Sequence, residues 1–321
     1  MNKIQPLSLH AKNIRRALII VVVGVLTLYV LLPKIHAFGL NGNTEMPKIW
    51  TLIFFAASLF LLTFVLSGLS YKLLSFTKLK LARTVLVQFA SVPLNLLLPA
   101  GLGNISINYL YLKKNRHTPV RAGLVISVNN ILGVIANLSM LALLVGTFGL
   151  SGNEGQVLRS HEQVLVVLIG IVCLMAAMVV YLLKGHIKRL NNIRVQLLVA
   201  LLQFRSRYIN VIGAYVCAAM QAIVTALVFW LCLKGYGIQL SYASSFMIYA
   251  FSVLVGAIIP TPGGLGGVEA SLTAGIVATH HASASVALAS VLAYRAISYW
   301  LPVFLGGFAL FMANKLRWVA R

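Results

Sequence analysis

Residues 259–269 read Ile259-Pro260-Thr261-Pro262-Gly263-Gly264-Leu265-Gly266-Gly267-Val268-Glu269, and this stretch decides how the rest of the chain is threaded. It sits within an apolar run, 243–280, that is long enough to cross a bilayer as a helix. Two prolines and four glycines between positions 260 and 267 cannot form a regular helix interior. The run therefore reads as two short helical arms joined by a turn. A second apolar run, 85–112, is interrupted in the same way by Leu98-Pro99-Ala100-Gly101-Leu102-Gly103. At about 1.5 Å per residue neither of its arms spans a ~30 Å hydrocarbon core.

Outward from these breaks the sequence is that of a membrane protein. Of 321 residues 60% are hydrophobic and only 9% are charged, with a mean hydropathy of +0.95. A soluble domain carries roughly a quarter of its residues charged. Six further runs, 17–38, 49–70, 122–148, 164–183, 209–233 and 284–313, have the length of spanning helices. The first follows Lys12, Arg15 and Arg16 without a small-residue cleavage site, so it is expected to be a retained span, not a signal peptide. The expected fold is an all-α polytopic membrane protein of about six spanning helices plus two re-entrant helical hairpins.

Charge placement selects the hairpins. If both broken runs crossed the membrane, Lys and Arg would fall almost evenly on the two sides. If both enter and return, all of them except Lys34, Lys48, Arg159, Lys234 and the intramembrane Arg295 fall on one side, which is then cytoplasmic together with both termini. The hairpins also reveal a repeat. Pro99-Ala100-Gly101-Leu102-Gly103 aligns with Pro262-Gly263-Gly264-Leu265-Gly266, and each half reads span, span, hairpin, span. Residues 1–150 form one membrane repeat and 151–321 a second. An odd number of crossings in each half makes the second inverted. Paired broken helices in inverted repeats are a transporter architecture.

The charge balance narrows the chemistry. Twenty-six Lys and Arg face four acidic residues, all Glu, so the usual carboxylate ligands of metal-dependent transferases are missing. A net charge of +22 resembles a nucleic-acid-binding signature, but in a polytopic chain it reads as cytoplasmic loops facing anionic lipid, and no nucleic-acid partner is expected. His10, His36, His117, His161, His186, His280 and His281 lie in loops or at span ends without metal spacing, and Cys173, Cys217 and Cys232 sit in apolar runs as packing residues. No metal, no cofactor and no enzymatic activity are expected, and no nucleotide-binding loop is present.

Two ionisable residues remain inside apolar segments. Glu269 opens the second arm of the second hairpin, and Arg295 lies within the last span in Tyr294-Arg295-Ala296-Ile297-Ser298-Tyr299-Trp300. An ionised side chain at mid-membrane costs about 2.5–3.5 kcal/mol on insertion scales, so each needs a partner or water. Glu269 across the bundle is one candidate partner for Arg295 and a lipid phosphate is the other. Tyr294 and Tyr299 either line the same cavity or belong to an aromatic belt. The turn residues Pro99, Gly101 and Gly103 in one half, and Pro260, Pro262, Gly263, Gly264, Gly266 and Gly267 in the other, allow close backbone approach and aim helix N-termini at an anion. Asn104 joins this tip. Asn95, Asn129, Asn130 and Asn137 read as interhelical packing groups.

The Pro-Gly-Gly…Glu269 hairpin and the Tyr294-Arg295 pair, followed by Tyr299-Trp300-Leu301-Pro302, resemble the lysylphosphatidylglycerol synthetase transmembrane family, the flippase-like UPF0104 group, over essentially the whole chain. The resemblance implies movement of phospholipids or polyprenyl-linked lipids between leaflets, with Glu269 and Arg295 at the family's characteristic acidic and basic positions. Many members carry a basic residue shortly after the first glycine turn. Asn108 stands there in this chain, which makes it a candidate headgroup contact of different chemistry. Full-length synthetases also carry a soluble transferase domain, and with the chain closing at Arg321 no aminoacylation is expected from it alone. The leading expectation is a lipid flippase of the cell membrane. The alternatives are a non-catalytic partner of a separately encoded glycosyltransferase or lipid synthase, and a lipid-phosphate transferase.

Overall fold

The computed structural model describes residues 46–97, 101–148, 204, 206–258, 264–280 and 282–315. Among these residues every regular element is helical. In chain order they are α1 (Met46–Leu74), α2 (Leu81–Leu97), α3 (Leu102–Lys114), α4 (Pro119–Phe148), α5 (Tyr208–Gly235), α6 (Tyr242–Ile258), α7 (Gly267–His280), α8 (Ala284–Arg295), a π-helical turn (Ala296–Trp300) and α9 (Leu301–Lys315).

Four stretches among the described residues are long and apolar enough to cross a membrane: Thr51–Leu74, Pro119–Leu144, Tyr208–Gly235 and Ala284–Met312. They coincide with four of the six expected spans. The other two, 17–38 and 164–183, lie outside the described residues. The two interrupted runs are each a pair of short helices, α2 with α3 and α6 with α7, whose members pack against each other. Pro99, Pro260, Pro262 and Gly263, expected to form the turns, lie outside the described residues.

The glycines that flank those turns explain the hairpin geometry. Gly101 and Gly264 both adopt left-handed backbone, with φ of 72° and 69°, which a side chain disfavours. Gly103 serves a different purpose, because a Cβ there would stand 2.3–2.5 Å from the backbone of Leu94 and Asn95 on α2. Only a hydrogen at that position lets the arms touch backbone to backbone.

The long helices assemble around this frame. α1 packs along α5, α4 lies against α5, and α9 lies against α2, where Gly306 meets the carbonyl of Phe89. One apolar cluster gathers Phe60, Phe229, Leu272 and Tyr294. A second gathers Tyr71, Leu74, Ile107 and Val125 near the turn that follows α1. The α3 end is closed by a Schellman arrangement, with the His117 N–H on the Leu112 carbonyl at 3.2 Å and the Arg116 N–H on Lys113 at 3.1 Å. Arg116 occupies the left-handed position with φ of 64°.

His117 then ties this end to the turn after α1. Its Nδ1 lies 3.1 Å from the Leu112 carbonyl, so that nitrogen is the donor, and Nε2 accepts the Phe76 N–H at 3.2 Å. Burial lowers the His117 pKa from its ordinary value, and the Arg121 charge acts in the same direction against hydrogen bonds that raise it. A histidine held neutral contributes fully above its ordinary pKa of about 6.5, and the contribution is lost as pH falls from there toward the lowered folded value.

Two expectations follow. Gly103→Ala should lower the melting temperature of the detergent-solubilised protein by several degrees, on the order of 1–3 kcal/mol for overpacking, while Gly133→Ala on α4, where a Cβ meets nothing within 4 Å, should not. Melting temperature should also fall between pH 7.5 and 5.5 in the wild type more steeply than in His117→Gln. Equal slopes would remove His117 from the account.

Candidate functional site

Glu269 occupies the third position of α7, counted from Gly266 as the residue that precedes the helix. Gly266 has φ of 87°, and its N–H donates to Glu269 Oε2 at 2.7 Å. This is the reaching-back half of a capping box, in which a side chain of the first turn satisfies a backbone donor that the helix leaves unpaired. The other carboxylate oxygen, Oε1, accepts from Arg295 Nε at 2.6 Å. One carboxylate thus closes the hairpin tip and holds the guanidinium of the last span.

The pair is largely withdrawn from solvent: the Arg295 side chain is 10% exposed and that of Glu269 16%. Arg295 stacks its guanidinium over Tyr299 at 4.7 Å, and Tyr299 meets Trp300 edge to face at 5.3 Å. Two hydroxyls on the same elements are left without partners. Tyr299 Oη and Thr273 Oγ1, one turn beyond Glu269 on α7, are buried with no hydrogen-bond partner among the described residues. Buried hydroxyls without partners are rare, and a received water or ligand is one of the things that satisfies them.

A π-helical turn, Ala296–Trp300, follows directly on Arg295 and ends with the Leu301 N–H on the Ala296 carbonyl, five residues back. Pro302 explains it. Proline has no N–H for the carbonyl four residues earlier and its ring crowds that carbonyl, so the helix widens by one residue in the preceding turn. Such turns recur at functional sites. Sequence reasoning did not identify this turn, although Pro302 inside a span was a legible signal.

The expected residues separate into two groups. Glu269, Arg295, Tyr299 and the turn glycines Gly264, Gly266 and Gly267 come together at the start of α7. Tyr294 points into the apolar core instead, edge to face with Phe229 at 5.2 Å. Asn104 and Asn108 stay within the first hairpin, with Gly101 and Gly103. The Asn104 N–H donates to Asn95 Oδ1 at 2.8 Å, Asn108 Nδ2 donates to Asn104 Oδ1 at 2.5 Å, and Gln88 Nε2 donates to Asn108 Oδ1 at 2.9 Å. Asn108 is fully buried, so its amide is committed to protein. Cys217 and Cys232 are buried free thiols. No cluster of metal-ligating side chains occurs among the described residues.

The fold and this site define a helical membrane protein with a buried acid–base pair at a broken helix. Residues 14–306 match the family described as the lysylphosphatidylglycerol synthase TM region, and the chain belongs to that family. No curated protein matches the chain.

Removing one partner of a buried pair typically costs about 3–5 kcal/mol, because the other charge is stranded. Arg295→Gln and Glu269→Gln should each destabilise strongly, and the double variant should cost less than their sum. Glu269→Ala should cost about 1 kcal/mol more than Glu269→Gln, whose amide oxygen still accepts the Gly266 N–H. Thermal melts of the four variants test this, and strict additivity would mean the pair does not act as a unit.

Proposed function

We propose that the protein is a lipid flippase, which binds the phosphate-bearing headgroup of a phospholipid or polyprenyl-linked lipid beside the α6–α7 hairpin and moves it between leaflets. The observation that carries the reading is the Glu269–Arg295 pair, the only carboxylate of any apolar segment joined to a guanidinium that cannot shed its charge. A pair of this cost is retained in a membrane where it serves a polar cargo. Membership in a family named for a lipid synthase places the chain among proteins concerned with membrane lipids.

In this reading Glu269 occupies Arg295 when the site is empty. An incoming phosphate takes the guanidinium and the start of α7, with the Tyr299 and Thr273 hydroxyls as further donors, while the acyl chains stay in the bilayer. The chain is a transporter and not an enzyme. Its two hairpins are re-entrant and belong to inverted halves, 1–150 and 151–321, with both termini cytoplasmic in a cell membrane. The matching left-handed glycines, Gly101 and Gly264, at aligned positions support that pairing. Under the alignment that pairs Pro99 with Pro262, Glu269 faces Ser106 and Arg295 faces Leu132, so the cargo site belongs to the second half alone.

Reconstitution into liposomes with a fluorescent anionic phospholipid tests the reading. Wild-type protein should make inner-leaflet label accessible to a reductant, and Arg295→Ala and Glu269→Gln should slow this by about tenfold or more, the effect of losing one charge-assisted contact. Undiminished movement in both variants, with folding retained, would refute it.

A further inference from the structure

Away from the hairpin tip, two other guanidiniums converge on one aromatic ring. Arg121, in the first turn of α4, stands over Phe76 with Cζ 5.4 Å from the ring centre, and Arg207, just before α5, stands over the same ring at 6.0 Å. Their support is rigid. The Arg207 Nη1 donates to the Ser75 carbonyl at 2.8 Å, and the Phe76 N–H is held by His117. Thr77 Oγ1 donates to the Asn115 carbonyl at 3.1 Å, which fixes the far side of the same turn.

Two like charges on one ring repel, and the one carboxylate among the described residues is that of Glu269. There is no acidic residue between Glu45 and Glu154, nor between Glu162 and Glu269, and Glu269 is taken by Arg295. Both arginines also stand at the beginnings of stretches that can cross a membrane, Pro119–Leu144 and Tyr208–Gly235. Side chains at such ends lie at the depth of lipid headgroups. Immediately beyond Arg207, Ile209 and Ile212 are 69% and 56% exposed, one turn apart on α5, and Val216 continues the stripe.

We propose that Arg121 and Arg207 form a second lipid site, which holds the phosphate of an anionic phospholipid across Phe76 while an acyl chain lies along Ile209, Ile212 and Val216. The planar guanidiniums match a phosphate's oxygens in pairs, and the stripe below them is apolar where a tail would run. The site stands apart from the Glu269–Arg295 pair. Phe76 and Phe204 pack into the cluster around Leu74 and Ile107, whereas Tyr294 and Val268 pack into the other apolar cluster. It therefore does not depend on the transport reading.

Native mass spectrometry of the full chain, exposed to phosphatidylglycerol or phosphatidylcholine, tests the proposal. The wild type should retain phosphatidylglycerol roughly tenfold better than phosphatidylcholine, as two arginines at a headgroup warrant. Arg121→Gln/Arg207→Gln should lose one retained phosphatidylglycerol per chain. Arg121→Gln alone, which leaves the Arg207–Ser75 bond in place, should show a smaller loss in the same direction, and Arg121→Lys/Arg207→Lys should restore part of it. Unchanged retention in both glutamine variants would overturn the site. Displacement of the bound lipid by excess glycerol phosphate would assign the arginines to a soluble phosphate and overturn the lipid assignment, whereas failure to displace it would support the tail contact.

Discussion

The structure depends on one requirement: a helix must find partners for its first backbone N–H groups. At the start of α7 that requirement falls on Gly266, and Glu269 meets it with one carboxylate oxygen. The choice has a consequence, since a carboxylate in that position needs a cation. Arg295 supplies it from the last span, and Tyr299 covers the cation in turn. A backbone donor thus dictates an acid, the acid dictates a base, and the base fixes which face of α8 meets α7.

The first hairpin solves the same problem without charge. There Asn95, on the facing arm, accepts the Asn104 N–H at the start of α3, and Asn108 and Gln88 extend the amide chain into the core. Both ends of the Asn108 amide are held by protein, its Nδ2 by Asn104 and its Oδ1 by Gln88, so this network braces the two arms. α9 rests on this hairpin where Gly306 meets Phe89, and α9 is continuous through the π turn with the helix that carries Arg295. The neutral hairpin consequently bears on the position of the charged pair through a single helix.

Much of this was legible in the residues themselves. Proline and glycine act locally, so the interrupted runs and the short paired helices follow from the sequence. The cost of an ionised group in lipid is equally local, which is why Glu269 and Arg295 are conspicuous in the sequence alone. Side-chain direction was not legible. Tyr294 and Tyr299 are five residues apart and chemically alike, yet one packs against Phe229 and the other against Arg295. In a regular helix residues five apart already point about 140° from each other, so the two tyrosines belong to different faces, and the sequence does not say which face meets Arg295. Asn108 illustrates a different limit. An amide beside a glycine turn suits a ligand and an interhelical bond equally, and only the position of Gln88 decides for the bond.

The π turn also carries Ser298 and Tyr299, whose buried hydroxyls have no hydrogen-bond partner among the described residues. α8 is packed on α5 and α7, whereas α9 is packed on α2, so the two segments answer to different neighbours. A straight α-helix would force both sets of contacts into one register. The widened turn before Pro302 absorbs the difference, at the expense of regular hydrogen bonding through residues 296–300. Tyr299 is carried on this turn, where its ring is fixed by Arg295 and Trp300 while its hydroxyl finds no acceptor among the described residues. A buried hydroxyl left in that state lowers stability by about 1–3 kcal/mol, and the surrounding apolar packing must offset it. The same irregularity that resolves the conflict between two packing registers therefore leaves a polar group ready beside the only acid–base pair among the described apolar helices.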